Sequence, residues 1–332
     1  MKPEFTAAAG AFCAQLGIRY PVIGGAMYPC SNPELTAAVS EAGGIGILQP
    51  ISLTYVHGHD YREGIRLMRS LTDKPIGMNA LIEKSSKKYQ QRMSEWVDIA
   101  LEEGVRFFVT SLGKPDWVAE RVHAAGGLVY HDVTELKWAR IGLDNGADGL
   151  ICVNNRAGGH AGGRSMRELY EELQALGVPL VCAGGVGDAA GFREALACGY
   201  AACQLGTRFI ASRECRASDA YKQAVVNAGE DDIVLSERVT GIPVSVINTD
   251  FVKRRGTRLG RFERWMLAGK RTKHWMRVYY GLKSIWQLKH SSLDEKGEKD
   301  YWQAGKSVAG IDSIESCETI MRSLVAAEGD SK

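Results

Sequence analysis

Eight short apolar runs, each followed by a polar or glycine turn and then by a stretch of helical period, predict a closed (β/α)8 TIM barrel with a C-terminal helical cap. Two further observations favour that architecture. The runs are apolar on both faces, as strands of a parallel sheet covered on each side must be. All eight units fall between residue 21 and about residue 210, a density that suits a closed barrel better than an open doubly wound sheet.

In order, the expected strands are PVIGGAM from Pro21, IGILQ from Ile45, PIGMNALI from Pro75, RFFVTSL from Arg106, LVYHDV from Leu128, GLICV from Gly149, PLVCAGG from Pro179 and ACQLGTRF from Ala202. Between them NPELTAAVSEAG, YQQRMSEWVDIALEEG, DWVAERVHAAG and DAAGFREALACG carry helical period, and several close on the glycine that a left-handed C-cap favours. Beyond residue 210 the pattern changes. DDIVLSERVTGIPVSVINTDFVKRR mixes β-rich pieces with turns, residues 253–290 read as helices rich in bases, and SIESCETIMRSLVAA reads as a final amphipathic helix. The expected division is residues 1–250 for the barrel, with an excursion after about 211, and residues 251–332 for a basic helical extension packed on it.

A chain of 332 residues with 45% hydrophobic side chains can bury a large core without metal or disulfide staples. The net charge of +2 supplies no overall field for nucleic acid, which is not expected as a partner. None of the eight cysteines forms a C-x-x-C pair or a zinc-ligand spacing, and several lie in apolar runs, so buried free thiols in a reducing cytoplasm are expected. The N-terminal MKPEFTAAAGAFCAQLG lacks the continuous apolar core of a secretion signal, and no segment approaches the ~20 apolar residues of a membrane span. A soluble cytoplasmic protein is the expectation.

In a barrel the chemistry collects at the C-terminal strand ends, because the loops there form the concave face. This sequence places its unusual residues at those ends: GGAM after the first strand, Asn79 in the third, His131 and Asp132 in the fifth, NNRAGGHAGG after the sixth, AGGVGD after the seventh and LGTRF in the eighth. Gly185 to Ala190 matches the G-x-G-x-x-A dinucleotide fingerprint. That motif needs an acid about 20 residues on and an early βαβ unit, whereas here the next strand ends without one before Glu214 and the unit is the seventh of eight. On the barrel reading, Gly184 and Gly185 cradle a phosphate together with Gly206 and Thr207 of the adjacent strand. Turn-forming glycines alone would leave that pairing unexplained. His131 and Asp132 face opposite sides of a regular strand, so at most one lines the interior. His57 and His59 lack a third ligand at fitting spacing, so HGHD reads as a helix-entry loop and no metal is expected.

The motifs YPVIGGAM with NPELTAAVSEAGGIGIL, then PIGMN, AGGHAGG, PLVCAGGVGD and QLGTRF, resemble in order and spacing the nitronate monooxygenases, formerly 2-nitropropane dioxygenases. That FMN-dependent barrel family also takes in certain NAD(P)H:quinone reductases and flavin-dependent enoyl-acyl-carrier-protein reductases. The resemblance covers residues 20 to about 225. It implies FMN as cofactor, a phosphate grip on Gly184, Gly185, Gly206 and Thr207, ring contacts at Ala26, Met27 and Asn79, and His160 as the catalytic residue. Two positions depart from it: Asp132 stands where many members carry lysine in strand five, and Arg156 where an acidic or glutamine residue precedes the histidine.

The activity implied is O2-dependent oxidation of a small nitronate, His160 taking an α-proton or bonding the anion. The alternative is NAD(P)H-dependent reduction of a quinone or an enoyl thioester. A non-catalytic flavin- or nucleotide-binding barrel is a further alternative, separable by the absence of turnover. Without the resemblance, GGH reads equally as a histidine in a surface loop, Met27 as a core methionine and Asn79 as the tie of its own turn.

Residues 253–283 hold eleven Lys and Arg against Glu263, about +10, which leaves the rest of the chain at about −8. Aromatics are interleaved in RFERWMLAGKRTKHWMRVYYGLKSIW. An amphipathic cap with solvated bases is the expected reading. Docking of an acidic partner such as a carrier protein is the alternative, and a homodimer is left open.

Overall fold

Parallel pairing runs without a break around eight strands. The computed structural model describes residues 5–83, 86–260, 263, 265–266, 269, 272–293 and 301–326. The strands are β1 (Val22–Gly24), β2 (Ile45–Leu48), β3 (Ile76–Leu81), β4 (Phe107–Ser111), β5 (Leu128–Val133), β6 (Gly149–Val153), β7 (Leu180–Ala183) and β8 (Ala202–Leu205). Each pairs with the next, and β1 also pairs with β8 (Ile23 opposite Gln204), which closes the barrel that the sequence predicts. The strand ends differ from the sequence reading in one respect: ACQLGTRF stops as a strand at Leu205, and α9 (Thr207–Ile210) turns helical after Gly206.

Helices α2 (Pro33–Glu41), α3 (Tyr61–Leu71), α4 (Lys87–Glu102), α5 (Asp116–Ala124), α6 (Leu136–Asp144), α7 (Met166–Leu173) and α8 (Ala189–Cys198) connect the first eight strands. Asp60 caps α3, its carboxylate accepting from the amides of Arg62 and Glu63, so HGHD is a helix-entry loop. His57 Nε2 lies 3.1 Å from the Pro29 carbonyl.

Side-chain alternation sorts the strands into two surfaces. Ile23, Ile47, Phe107, Val109, Tyr130, Ile151 and Val181 fill the interior, and Phe12 and Leu16 of α1 (Ala7–Leu16) plug its N-terminal end. Phe12 meets the Tyr130 ring edge-on at 5.9 Å between centroids. Residues of the other parity, such as Met78 and Phe108, pack outward under the helices. All eight cysteines are free thiols, and seven of them are buried.

After α9 the chain leaves the barrel through α10 (Asp219–Asn227) and forms an antiparallel hairpin of β9 (Ile233–Ser236) and β10 (Val244–Ile247). Next come α11 (Asp250–Arg255) and α12 (Thr272–Leu293). The chain returns as an extended strap, residues 301–310, and ends in α13 (Cys317–Leu324). Cys317, Ile320, Met321 and Leu324 form one buried stripe of α13 against α2 and α8. Helix α13 therefore takes the place in the outer ring that a helix following β8 would occupy. No described helix is long and apolar enough to cross a membrane. Of the basic segment, Lys253, Arg254, Arg255 and Arg258 are exposed. Arg261, Arg264, Lys270 and Arg271 lie outside the described residues, as do the side chains of Lys273 and Arg277.

Candidate active site at the barrel mouth

Parity carries three polar side chains to the interior face at the C-terminal end of the barrel. Asp132 lies two residues beyond Tyr130, Asn79 two beyond Gly77, and Gln204 two beyond Ala202. The Asn79 amide donates to the Val109 carbonyl at 3.3 Å. Asp132 Oδ1 and Gln204 Oε1 are buried and have no hydrogen-bond partner among the described residues. Burial pushes the Asp132 carboxyl up to about 7, because a carboxylate at the mouth floor loses its hydration. A Cβ at Gly25 would stand 3.0 Å from Gln204 Cγ, so glycine there leaves that amide room.

His131 goes the other way. Its Nδ1 lies 2.9 Å from Thr110 Oγ1, its ring faces Gly142 of α6, and desolvation lowers its pKa to about 4. It is a neutral structural histidine in the barrel wall.

The turns after β6, β7 and β8 converge on one side of the mouth. Gly184 and Gly185 have φ of +118° and +84°, a region that side-chain-bearing residues rarely adopt. A Cβ on Gly184 would lie 2.4 Å from Asn154 Oδ1, and one on Gly185 would lie 2.8 Å from Arg156 Nε. Gly158, in the turn after β6, approaches Thr207 Oγ1, and Met27 Sδ approaches Gly206. Ala26 packs against the interior cluster. The structure thus brings Gly184, Gly185, Gly206 and Thr207 to one edge of the opening, with Ala26, Met27 and Asn79 at the same end of the barrel. Thr207 Oγ1 accepts from the Gly305 amide at 3.0 Å, which leaves the hydroxyl proton for another acceptor.

His160 stands at the tip of a loop closed at its base by the Asn155 amide to the Arg164 carbonyl (2.8 Å) and the Gly162 amide to the Asn154 carbonyl (3.2 Å). Its Nε2 lies 3.3 Å from Thr240 Oγ1 in the β9–β10 turn, and the Ser245 amide donates to the Gly159 carbonyl at 2.8 Å. One side of the ring reaches solvent. The loops packed on the other side desolvate the imidazolium and hold its pKa below the ordinary value. The hydrogen-bond partner of His160 in this structure is therefore the hairpin, not a residue of the mouth floor.

Asn154 and the partners of Arg156 escaped the sequence reading. Asn154, wholly buried, donates to the Gly184 carbonyl at 2.9 Å and accepts from the Arg156 amide at 2.8 Å. The only sequence signal for it is an asparagine placed directly after an apolar strand. Arg156 forms a two-pronged pair with Glu230, both contacts 2.8 Å, and Lys306 joins the same carboxylate at 3.3 Å. The Lys306 amide also donates to the Arg156 carbonyl at 2.9 Å, so the strap is stitched across the turn after β6.

The family model described as nitronate monooxygenase matches residues 11–327. The chain is 32% identical over 238 residues to a Rhodococcus jostii protein named (3aS,4S,5R,7aS)-5-hydroxy-7a-methyl-1-oxo-octahydro-1H-indene-4-carboxyl-CoA dehydrogenase, covering 71% of this chain and 65% of that relative. To the Mycobacterium tuberculosis protein of the same name it is 27% identical over 339 aligned positions, 93% of each chain. Among solved structures, FabK from Thermotoga maritima superposes with a TM-score of 0.77 at 26% identity, over 95% of this chain and 94% of that one.

Proposed function

Because the chain belongs to the nitronate monooxygenase family, whose members are oxidoreductases, we propose that it is an FMN-dependent enzyme acting on an acyl thioester at the barrel mouth. Gly184, Gly185, Gly206 and Thr207 would hold the cofactor phosphate, and Ala26, Met27 and Asn79 would flank the ring. Two features support the fit: a turn that any Cβ would obstruct, and a buried amide oxygen on the mouth floor, Gln204 Oε1, that matches the N–H donor of the ring. When bound, the flavin supplies the two-electron chemistry.

The chain's own residues then handle protons and placement. With a pKa near 7, the Asp132 carboxyl takes or returns a proton at working pH, as a base for the carbon beside a thioester carbonyl must. His160 is neutral under the same conditions, and its bond to Thr240 orients it to donate to, or accept from, a substrate oxygen.

Asp132 carries the choice of substrate. Where the resemblance expects a lysine, a carboxylate opposes an anion by about 1–4 kcal/mol at contact distance, whereas a neutral thioester carbonyl meets no such repulsion. The two relatives named as CoA dehydrogenases support the same reading. Nitronate oxidation with O2 is the second reading, favoured by the description of the matching family model. The test is anaerobic mixing of the purified flavoprotein with acyl-CoA, with propionate 3-nitronate, and with NADH or NADPH, each alone. Bleaching of the flavin by the nitronate and not by any thioester selects the second reading; bleaching by nicotinamide identifies the electron donor. A colourless protein indifferent to added FMN removes the cofactor assignment.

A further inference from the structure

A cavity of about 240 Å³ lies behind the β9–β10 turn. Its walls bring together Arg238 from the start of that turn, Phe251 and Arg255 of α11, Glu263, Lys283 of α12 and Tyr301 at the start of the strap. Three cationic side chains thus face one carboxylate. Glu263 is already committed, accepting from the Gly260 amide and from the Tyr280 hydroxyl, both at 2.9 Å. Arg238 Nε is buried and has no acceptor among the described residues. Phe251 and Tyr301 meet edge-to-face at 5.1 Å and supply an apolar wall.

Excess positive charge around a half-open hollow, a buried guanidinium N–H without an acceptor among the described residues, and an aromatic wall together describe a receptor for a phosphorylated aromatic group. The hollow is smaller than the ~300 Å³ at which pockets for a whole small molecule begin, so it takes one end of a longer ligand. Its position fits that role. Arg238 is two residues from Thr240, which touches His160. Val239 between them is buried with Tyr301, in a cluster that Tyr28, the neighbour of Met27, packs against. The hairpin turn therefore has the basic cavity on one side and the barrel mouth on the other.

We infer that this cavity binds the phosphorylated adenosine end of a ligand whose other end reacts at the mouth. Two sources share that chemistry, the 3′-phosphorylated tail of a CoA thioester and the 2′-phosphorylated tail of NADPH. The first rests on the thioester reading above, and the second does not. Neither Glu263 nor the aromatic pair selects between them, since both tails carry an adenine and clustered phosphates.

Direct binding separates this inference from the catalytic reading, because it needs no turnover. Adenosine 3′,5′-bisphosphate, adenosine 2′,5′-bisphosphate, AMP and inorganic phosphate are each titrated into the flavin-loaded protein by calorimetry. One bisphosphate should bind at least tenfold tighter than AMP or phosphate. Preference for the 3′ isomer assigns the cavity to CoA, and preference for the 2′ isomer to NADPH. Arg238→Gln and, independently, Arg255→Gln should each weaken that bisphosphate at least tenfold, with flavin retention reporting that the variant is folded. If the 3′ isomer is preferred, a substrate thioester carried on N-acetylcysteamine should show a KM at least tenfold above its CoA counterpart in wild type, and in Arg238→Gln that ratio should collapse toward one. Absence of bisphosphate binding, affinity no better than that of phosphate, or equal affinity in both folded variants overturns the inference. If bisphosphate binds yet no thioester is turned over, the catalytic reading fails and the cavity assignment stands.

Discussion

The side-chain amide of Asn154 donates to the Gly184 carbonyl at 2.9 Å while its oxygen accepts from the Arg156 amide at 2.8 Å, so one buried residue fastens the turn after β6 to the turn after β7. Removing it takes the partner from the Gly184 carbonyl and the Arg156 amide, both half-buried, at ~1–3 kcal/mol each. Asn154→Ala should lower stability by about 2–4 kcal/mol in denaturant titration and release flavin on desalting. Retention of both would show that the two turns hold their shapes independently.

Gly184→Ala and Gly177→Ala make a paired test. Both positions have positive φ, and the backbone strain of ~1–3 kcal/mol applies to each. At Gly177 a Cβ meets nothing within 4 Å, whereas at Gly184 it meets Asn154 Oδ1 at 2.4 Å. Flavin retention should fall sharply in Gly184→Ala and stay near wild type in Gly177→Ala. Equal retention in the two variants would remove the turn from the proposed phosphate grip.

Asp132 links stability and activity to pH with opposite signs. Its folded pKa of about 7 lies above the unfolded value near 3.8, so between those values the folded state holds a proton that the unfolded state has released. Stability should therefore fall as pH rises from about 4 to 7, with a ceiling of ~4 kcal/mol at about 1.4 kcal/mol per pKa unit. Asp132→Asn should flatten that slope and raise the melting temperature at pH 8. If Asp132 is the base, wild-type turnover rises through pH 7 and the variant loses that limb. A pH–stability curve identical in both proteins would place the carboxyl in contact with solvent.

His160→Ala should slow turnover by ~10²–10⁴, the range for loss of a general acid or base, without loosening flavin. Thr240→Val, which removes the hydroxyl 3.3 Å from Nε2, should produce a smaller decrease. Unchanged kinetics in His160→Ala would take the imidazole out of the reaction.

Met321 closes the outer ring from α13, its methyl directly over Gly44. Met321→Ala should cost about 2–5 kcal/mol, as large-to-small changes at fully buried sites do. A loss within the scatter of surface substitutions would mean that α13 is detachable.

The barrel was legible because its strands are buried on both faces and its helices are not, so hydropathy alone marks each unit. The glycines at 184, 185 and 206 and the loop around His160 were legible because so much glycine is otherwise unfavourable. The side of the wall that Asp132 faces was not, since parity helps only after one neighbour is known to point inward, and Tyr130 settled that. Nor could local pattern show Gly305 donating to Thr207 or Lys306 to Arg156, contacts that join residues about a hundred or more positions apart. The same distance hid α13 as the missing member of the ring.

That arrangement sets an order on biosynthesis. A nascent chain can pair all its barrel strands once Leu205 has left the ribosome, yet the ring of helices still has an open seam and the turns at its top are unfastened. Only when residues 301–324 emerge do the strap and α13 close that seam. Capture of a cofactor on the proposed grip would then wait for residues 301–324, and a chain interrupted before residue 300 would leave one side of the barrel exposed.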